Sequence, residues 1–374
     1  METKSERLLS LDIFRGITIA AMILVNNQGD WNHVYPVLDH APWHGFTPTD
    51  AIFPFFLFIV GVTTAISLNR RKLSGDNQTK LLGKIFLRSF LLIALGIIKD
   101  NYPFYSLTNL QMLGVLQRIG LVYFFTALIF LKTSYRGQII FNSIFLIGYW
   151  ALMTLVPVPG VGYPNLDVNT NLAAYLDRLL LSGHLYVKTV TWDPSGLLST
   201  LPAISSALFG VHLGHWIMTK KDEKEKTVGM FIGGNILLVL GLIWDSFFPI
   251  NKNLWTSSYV LYSTGFALNC FAICYWVVDI KKYRWWTKPF LIYSMNALFV
   301  YFISGIFGRT IKRLIFISVS DDKSMNLKDY LFQSFVNPHF ASPYNASVAW
   351  ALLMVAFWFL ILWLLYRKNI FIKV

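Results

Sequence analysis

Charged side chains are scarce in this sequence of 374 residues: they make up 14% of it, whereas hydrophobic residues make up 55%. The mean hydropathy is accordingly high, at +0.52. A soluble domain cannot cover that much apolar surface, so this class of protein is excluded. Apolar runs of about 20 residues recur along the chain, a length that suits membrane helices and is too long for barrel strands. The sequence therefore predicts an all-α, polytopic transmembrane helical bundle.

The sequence has only two cysteines and none of the common cofactor motifs. The two cysteines, Cys270 and Cys274, are four residues apart on one predicted helix, which favours neither a disulfide nor a zinc site. His212 and His215 have a spacing that suits a metal, but no Asp, Glu or Cys neighbour completes a ligand set. We find no Walker-type loop, serine elbow or haem motif. We therefore predict no metal.

Acidic residues are outnumbered, since 32 Lys and Arg against 19 Asp and Glu give a formal charge of +13. In a polytopic membrane protein such an excess marks cytoplasmic loops, so we predict both termini in the cytoplasm and no nucleic-acid partner. The partly apolar stretch from Thr310 to Val319 leaves open an eleventh or re-entrant element. We treat residues 1–374 as a single domain with ten spans, at residues 10–28, 51–68, 82–98, 112–131, 138–156, 196–218, 228–248, 257–279, 288–307 and 346–366.

The loop at residues 29–49 is rich in titratable side chains and is extracytoplasmic in this topology. An imidazole can take a proton from an amine or hydroxyl near neutral pH, or carry an acyl group itself. Spacing alone does not choose a base among His33, His40 and His44, and each could instead cap a helix or bond a backbone carbonyl. Asn26 and Asn27 end the first span beside this loop, where an amide either donates to an oxyanion or caps the helix.

Charged residues also stand within or at the ends of the predicted spans. Asp50 lies at a helix start, so we expect it either to cap that helix or to orient a histidine. Asp12 and Arg15 are three residues apart on one helical face and are predicted to pair. Arg118 lies inside the fourth span, where a buried guanidinium either forms an ion pair with a carboxylate or binds an anion.

A longer outside segment, residues 157–195, is rich in Pro, Gly and Asn and ends with Trp192 and Asp193 before the sixth span. Tryptophan suits a membrane interface. We expect this segment to form an ordered cap over the mouth of the bundle.

Several blocks of the sequence resemble, in matching order, the heparan-α-glucosaminide N-acetyltransferase family of transmembrane acyltransferases. The resemblance runs from residue 8 to about residue 305 and is looser beyond. The blocks are Ser10-Leu11-Asp12-Ile13-Phe14-Arg15-Gly16, Val25-Asn26, His40-Ala41-Pro42-Trp43-His44-Gly45, Asp50-Ala51-Ile52-Phe53-Pro54-Phe55-Phe56, Leu113-Gly114-Val115-Leu116-Gln117-Arg118-Ile119-Gly120, Asp193-Pro194-Ser195-Gly196-Leu197-Leu198, Asn251-Lys252-Asn253-Leu254-Trp255-Thr256-Ser257-Ser258-Tyr259 and Met295-Asn296-Ala297-Leu298.

This resemblance implies a bundle of about ten or eleven helices that uses cytoplasmic acetyl-CoA to acetylate a terminal glucosamine on the other side of the membrane. It implies that His40 is the catalytic histidine and Asn26 its partner. The substrate contacts or supporting residues that we carry over from the blocks and their flanks are Asp12, Arg15, His44, Asp50, Arg118, Trp192, Asp193, Asn253 and Asn296. Two departures are a longer loop between Asn26 and His40 and a serine, Ser304 or a neighbour, where animal members have a histidine.

The expected protein is thus a short bacterial-type member in the inner (cytoplasmic) membrane. Its expected partners are the lipid bilayer, acetyl-CoA and an amino-sugar acceptor, with a homodimer left open. A transporter or flippase of sugars or lipid-linked sugars remains the alternative, because intramembrane charges such as Arg118 suit one too. A structural or sensory role would leave the polar mouth unexplained.

Overall fold

The computed structural model describes residues 8–320 and 323–372, and nearly all of its regular structure is helical. The sequence-based prediction of an all-α membrane fold is confirmed. The helices are α1 (Leu9–Asn26), α2 (Ile52–Leu73), α3 (Gln78–Asn101), α4 (Val115–Lys132), α5 (Tyr135–Leu155), α6 (Leu172–Leu181), α7 (Thr200–Ile217), α8 (Glu223–Asp245), α9 (Ser257–Cys274), α10 (Lys288–Met295), α11 (Ala297–Arg313), α12 (Leu327–Leu331) and α13 (Pro343–Arg367).

Short elements of tighter or wider pitch extend or connect these helices. The 3₁₀ turn that leads into α2 carries Asp50, and a π-helical turn continues α9. The 3₁₀ turns are Pro36–Leu38, Pro48–Ala51, Leu107–Asn109 and Asn337–His339, and the π turns are Tyr275–Ile280 and Phe332–Val336.

The described residues contain fewer candidate membrane spans than the ten that the sequence predicts. Within residues 8–320 and 323–372, eight helices are long and apolar enough to cross a membrane, and the bent pair α10–α11 makes up to nine. The remaining predicted segment folds as α7, which carries serine and histidine residues and is mostly buried between other helices rather than facing lipid. By contrast, α3, α5 and α8 expose rows of large apolar side chains, as lipid-facing helices do. The chain is an integral membrane protein.

Two glycines allow the central helices α2 and α7 to lie against each other. A Cβ added at Gly61 would come within 1.8 Å of the Ala207 carbonyl oxygen, and one at Gly210 within 2.0 Å of the Phe58 carbonyl oxygen. Small residues that permit such close backbone approach are typical of membrane helix interfaces. The loops that carry Asp50 and Asp193 lead directly into these two helices.

The ninth predicted span, residues 288–307, is not a single straight helix. It is broken at Asn296 into α10 and α11, which meet at 77°. Asn296 is 1% exposed, and its side chain donates to the Ile370 carbonyl at 3.1 Å and accepts from the Ile372 amide at 2.8 Å. The break therefore anchors the segment that follows α13, inside the bundle.

The alternative of an eleventh span or re-entrant element between Thr310 and Val319 is wrong. Thr310 belongs to the last turn of α11, and the chain then forms a two-stranded antiparallel hairpin of β1 (Phe316–Ser320) and β2 (Lys323–Asn326). Phe316 pairs with Asn326 and Ile317 with Met325. The segment is partly apolar, as the sequence shows, but a strand of five residues is too short to cross a bilayer.

Candidate active site

A cavity of about 440 Å³ opens at the end of the bundle where α1 stops and α2 begins. Its walls come from α1, α2, α3, α4, α11 and the loops before α2, α4, α7 and α9. Apolar residues line most of it, and a smaller set of polar side chains gathers at its rim. That composition is typical of a small-molecule site. The polar members include Asn26, His40, Thr49, Asp100, Gln111, Tyr186, Asp193, Ser195, Lys252, Asn253, Tyr301 and Arg309.

His40 stands at this rim with its imidazole held by a carboxylate. Its Nδ1 lies 2.7 Å from Oδ1 of Asp50. An ionised carboxylate only accepts hydrogen bonds, so this contact places the imidazole proton on Nδ1. The Nε2 lone pair then remains as the proton acceptor, which is the tautomer that a general base requires.

Asp50 is fixed more firmly than the histidine it holds, because its side chain is 1% exposed and fully engaged. Its Oδ2 accepts from the backbone amides of Thr47 at 3.0 Å and Ala41 at 3.1 Å. Thr47 and Asp50 form a capping box at the start of the turn Pro48–Ala51, and Tyr259 donates its hydroxyl to the Asp50 carbonyl at 2.6 Å. Both sequence-based readings of Asp50 hold in the geometry: it caps the turn and it contacts the histidine.

Lys252 reaches the same two side chains from the loop between α8 and α9. Its Nζ lies 2.9 Å from Nδ1 and 3.1 Å from Nε2 of His40, and 3.4 Å from Oδ1 of Asp50. Burial lowers the pKa of Lys252 to about 8, against the opposing pull of the Asp50 carboxylate. Sequence reasoning gave this lysine no role; the signal that could have found it was its place inside the Asn251–Tyr259 block.

Two more predicted residues face the cavity beside His40. Asn26 is the last residue of α1 and lines the first cavity, whereas the Asn27 side chain donates to the Ile23 carbonyl at 2.8 Å. Asn253 follows Lys252 along the rim. The structure thus separates the two asparagines that the sequence left equivalent, with Asn26 lining the cavity and Asn27 capping the helix.

Asp193 enters the cavity wall from the loop before α7. It is buried, and its two carboxylate oxygens accept from the amides of Ser195 at 2.7 Å and Tyr186 at 3.1 Å. Burial raises the pKa of Asp193 to about 6 in spite of these hydrogen bonds. A carboxyl group that titrates near neutrality at the rim of a cavity is a common feature of functional sites.

Arg118, Trp192 and His44 support the loops and are not among the described residues that line this cavity. Arg118 donates to the Gly196 carbonyl at 3.1 Å and to Ser199, and its guanidinium lies over the Trp255 ring at 5.1 Å. It therefore fixes the loop that carries Asp193 and lies close enough to the Asp193 carboxylate to interact with it electrostatically.

Trp192 and His44 likewise join neighbouring loops around the site. Trp192 packs edge-to-face against Trp43 with ring centroids 5.1 Å apart, and His44 Nδ1 lies 3.3 Å from the side-chain amide of Asn251. Asn296, described above, binds the segment after α13. Trp192, His44 and Asn296 are thus structural neighbours of the site and not part of its rim.

Asp100 and Arg309 are rim residues that the sequence analysis missed. Asp100 lies 2.7 Å from Lys99 Nζ and 3.4 Å from Arg309 Nη2, and it also accepts from the side chain of Gln117 at 3.3 Å. Both lie near the C-terminal ends of apolar helices, and that position was the available signal in the sequence. Together they close the side of the cavity formed by α3 and α11.

A second cavity of about 530 Å³ lies at the opposite end of the same helices. Asp12 and Arg15 line it and pair at 3.3 Å, which confirms their predicted contact, and Arg88 lines it too. Four residues belong to the walls of both cavities, so the two spaces adjoin near the middle of the bundle: Phe56, Ile119, Ala297 and Leu298.

The geometry supports acyl-transfer chemistry at the first cavity. An imidazole whose Nε2 can accept a proton, a carboxylate that orients it, and an amide donor at Asn26 are the groups needed to deprotonate a nucleophile and stabilise an oxyanion. The second cavity, with cationic side chains at its far end, offers a route by which a long, anionic acyl donor could reach that point.

Comparison with known proteins points to the same chemistry. The family model described as heparan-alpha-glucosaminide N-acetyltransferase, catalytic, matches residues 7–243. The heparan-alpha-glucosaminide N-acetyltransferase of Homo sapiens is 34% identical over 427 aligned positions, which cover 98% of this chain and 60% of the human protein. The Mus musculus protein of the same name is 32% identical over 432 positions, covering 100% of this chain and 61% of its own length. The chain spans about 60% of the length of these curated relatives. It belongs to the heparan-alpha-glucosaminide N-acetyltransferase family.

Proposed function

We propose that this protein is an acetyltransferase that moves an acetyl group from acetyl-CoA to the amine of an amino sugar with a glucosamine-like terminus. Family membership and the names of the relatives support the reaction type. The observation that carries the proposal is the buried Asp50 carboxylate, which contacts Nδ1 of His40 at the rim of the first cavity and so leaves Nε2 as the proton acceptor.

The chain's own residues divide the chemistry between them. The acceptor nitrogen attacks the thioester carbonyl carbon while Nε2 of His40 takes the proton that the nitrogen loses. The Asn26 amide donates to the developing oxyanion, where such donors have their largest effect. The carbon–sulfur bond then breaks, and the proton passes from His40 to the departing thiolate. If His40 first accepts the acetyl group itself, Asn26 and Asp50 serve both half-reactions in the same way.

The donor reaches His40 from the opposite end of the bundle through the second cavity. In this arrangement Arg15 and Arg88 attract the phosphates of the nucleotide, and the pantetheine arm passes the shared wall at Phe56 and Ile119. The far cavity faces the cytoplasm and the His40 rim faces the extracytoplasmic side, with both termini cytoplasmic in a bacterial inner membrane. The positive-inside distribution of Lys and Arg supports this orientation.

The test is turnover by the purified protein. It should convert acetyl-CoA and glucosamine into one N-acetylated sugar and one free CoA thiol, as read by product mass and thiol release, and leave glucose, which has no amine, unchanged. Uptake of the sugar into proteoliposomes without any acetylated product would reject the enzyme in favour of a transporter.

The donor route has its own test in Arg88→Gln, with Lys84→Gln one turn earlier on α3 as the control. Arg88 lines the second cavity and Lys84 is not among its described lining residues. We expect Arg88→Gln to raise the KM for acetyl-CoA roughly fivefold at unchanged kcat, the effect of removing one partly solvated ion pair. Equal KM values for the two variants would remove Arg88 from the donor route.

A further inference from the structure

Lys252 is held in place at the cavity rim by a rigid turn rather than by a flexible loop. Asn251, which is fully buried, accepts from the Leu254 amide at 2.8 Å through its side chain, and its own amide donates to Thr256 Oγ1 at 3.0 Å. The Trp255 amide donates to the Lys252 carbonyl at 3.1 Å. The backbone of Lys252 is therefore fixed, and the contacts of Nζ with His40 and Asp50 place the amine.

The Lys252 amine lies at the distance from His40 that the reaction requires of an acceptor amine. For His40 to take a proton from a nucleophile, the nucleophile must lie within about 2.6–3.2 Å of Nε2. The Nζ of Lys252 lies 3.1 Å from Nε2, in the wall of the cavity that holds the site. The chain thus places one of its own primary amines beside the imidazole, within the distance from Nε2 at which the acceptor amine would react.

The other lysines of this region are placed differently. Lys328 donates to the Gly29 carbonyl and pairs with Asp329 at 3.1 Å, and Lys99 is bonded to Asp100 at 2.7 Å with its ammonium over the Tyr301 ring. Neither is among the described residues that line the first cavity. Lys252 is the lysine that lines it, and it alone of these three lies beside the imidazole of His40.

We propose that Lys252 is a self-acetylation site, which receives the acetyl group when no sugar occupies the cavity. This inference rests on the proposed function, because it uses the same acetyl donor. Acetylation would remove the positive charge next to Asp50 and fill the rim of the cavity, so it would lower turnover while acceptor is scarce.

The step balances within the site. The Lys252 ammonium first gives one proton to solvent, and the neutral Nζ attacks the thioester carbonyl carbon. Nε2 of His40 takes a second proton from the nitrogen as the amide forms, the carbon–sulfur bond breaks, and that proton passes to the CoA thiolate. The products are an Nε-acetyl-lysine and free CoA thiol. The lowered pKa of Lys252, about 8, supports the step. When the solution pH equals this pKa, about half of the Lys252 amines are neutral and able to attack.

The experiment incubates the purified full-length protein with acetyl-CoA and no sugar, and then maps acetyl groups on its peptides by mass spectrometry. We expect Lys252 to approach one acetyl group per chain, at a rate that does not depend on protein concentration and that rises with pH as the amine loses its proton. Glucosamine should slow the modification by competition, and His40→Ala should slow it at least about tenfold.

Lys328 serves as the matched lysine, and Lys252→Arg confirms the assigned peptide. Treatment with hydroxylamine separates this product from an acetyl-imidazole on His40, because the lysine amide survives it. If Lys252 stays unmodified in protein that acetylates glucosamine normally, self-acetylation is rejected and the proposed function stands. So would a Lys252 that is acetylated no faster than Lys328. Absence of acetyl transfer to both sugar and lysine would instead reject the proposed function.

Discussion

The segment between α1 and α2 carries two histidine–carboxylate pairs that look alike at first. His33 Nδ1 lies 2.7 Å from Asp30 Oδ2, and His40 Nδ1 lies 2.7 Å from Asp50 Oδ1. Each pair even has a lysine near its carboxylate, Lys328 beside Asp30 and Lys252 beside Asp50. Distance and residue type therefore do not separate them.

The surroundings of the two histidine–carboxylate pairs differ. The Asp30 side chain is 29% exposed and sits three residues from its histidine, whereas the Asp50 side chain is 1% exposed and is anchored by two backbone amides. His33 packs against the ring of Tyr344 and is not among the described residues that line either cavity discussed here. A catalytic pair needs a fixed carboxylate and a cavity that brings the reactants to the free nitrogen, and only the second pair has both.

The largest expected difference between the two pairs comes from removing each imidazole. His40→Ala should lower kcat about 10²- to 10⁴-fold, because the proton acceptor is lost, while His33→Ala should keep kcat within about twofold. Steady-state acetylation of glucosamine by the two purified variants measures this. Comparable losses in both, with equal thermal stability, would show that the pairs are functionally equivalent and contradict the assignment.

A smaller effect is expected at the two asparagines that end α1. Asn26→Ala should lower kcat about 10²-fold with little change in KM, which is the low end of what loss of an oxyanion donor costs. Asn27→Ala removes only a bond to the Ile23 carbonyl and should act mainly on thermal stability. A KM effect without a kcat effect for Asn26→Ala would move that residue from oxyanion support to substrate binding.

The smallest of the three effects should come from the carboxylates. Asp50→Asn keeps the shape but weakens the hold on the Nδ1 proton, so we expect a loss of kcat of about 10- to 100-fold, the range seen when an orienting partner of a histidine is removed. Asp30→Asn should leave kcat nearly unchanged. Circular dichroism and thermal melts check that Asp50→Asn is folded. A folded Asp50→Asn variant with full activity would show that His40 needs no orientation by this residue.

Much of the site was predictable because local rules determine it. Helix α1 ends at Asn26, and Asp50 caps the turn before α2, as polar residues at helix ends do in general. The pairing of Asp12 with Arg15 follows from a spacing of three residues on one helix. In each case the partners are close in sequence, so periodicity and capping preferences suffice.

The parts that sequence reasoning missed depend on contacts between distant segments. The approach of Lys252 to His40 joins residues more than 200 positions apart, and the bonds from Asn296 to Ile370 and Ile372 join α10–α11 to the end of the described chain. Arg118 bonds a loop far along the chain, which no helical pattern reveals. The place of Lys252 in the sequence does not show which distant side chains it faces.

The central claim is that donor and acceptor meet at His40 from opposite faces of the membrane. Proteoliposomes in which the protein has one orientation test it directly, with acetyl-CoA supplied only on the face of the second cavity and glucosamine only on the face of the His40 rim. The account predicts N-acetylglucosamine on the glucosamine side and free CoA on the other. Product that forms only when both substrates are on the same side would contradict it.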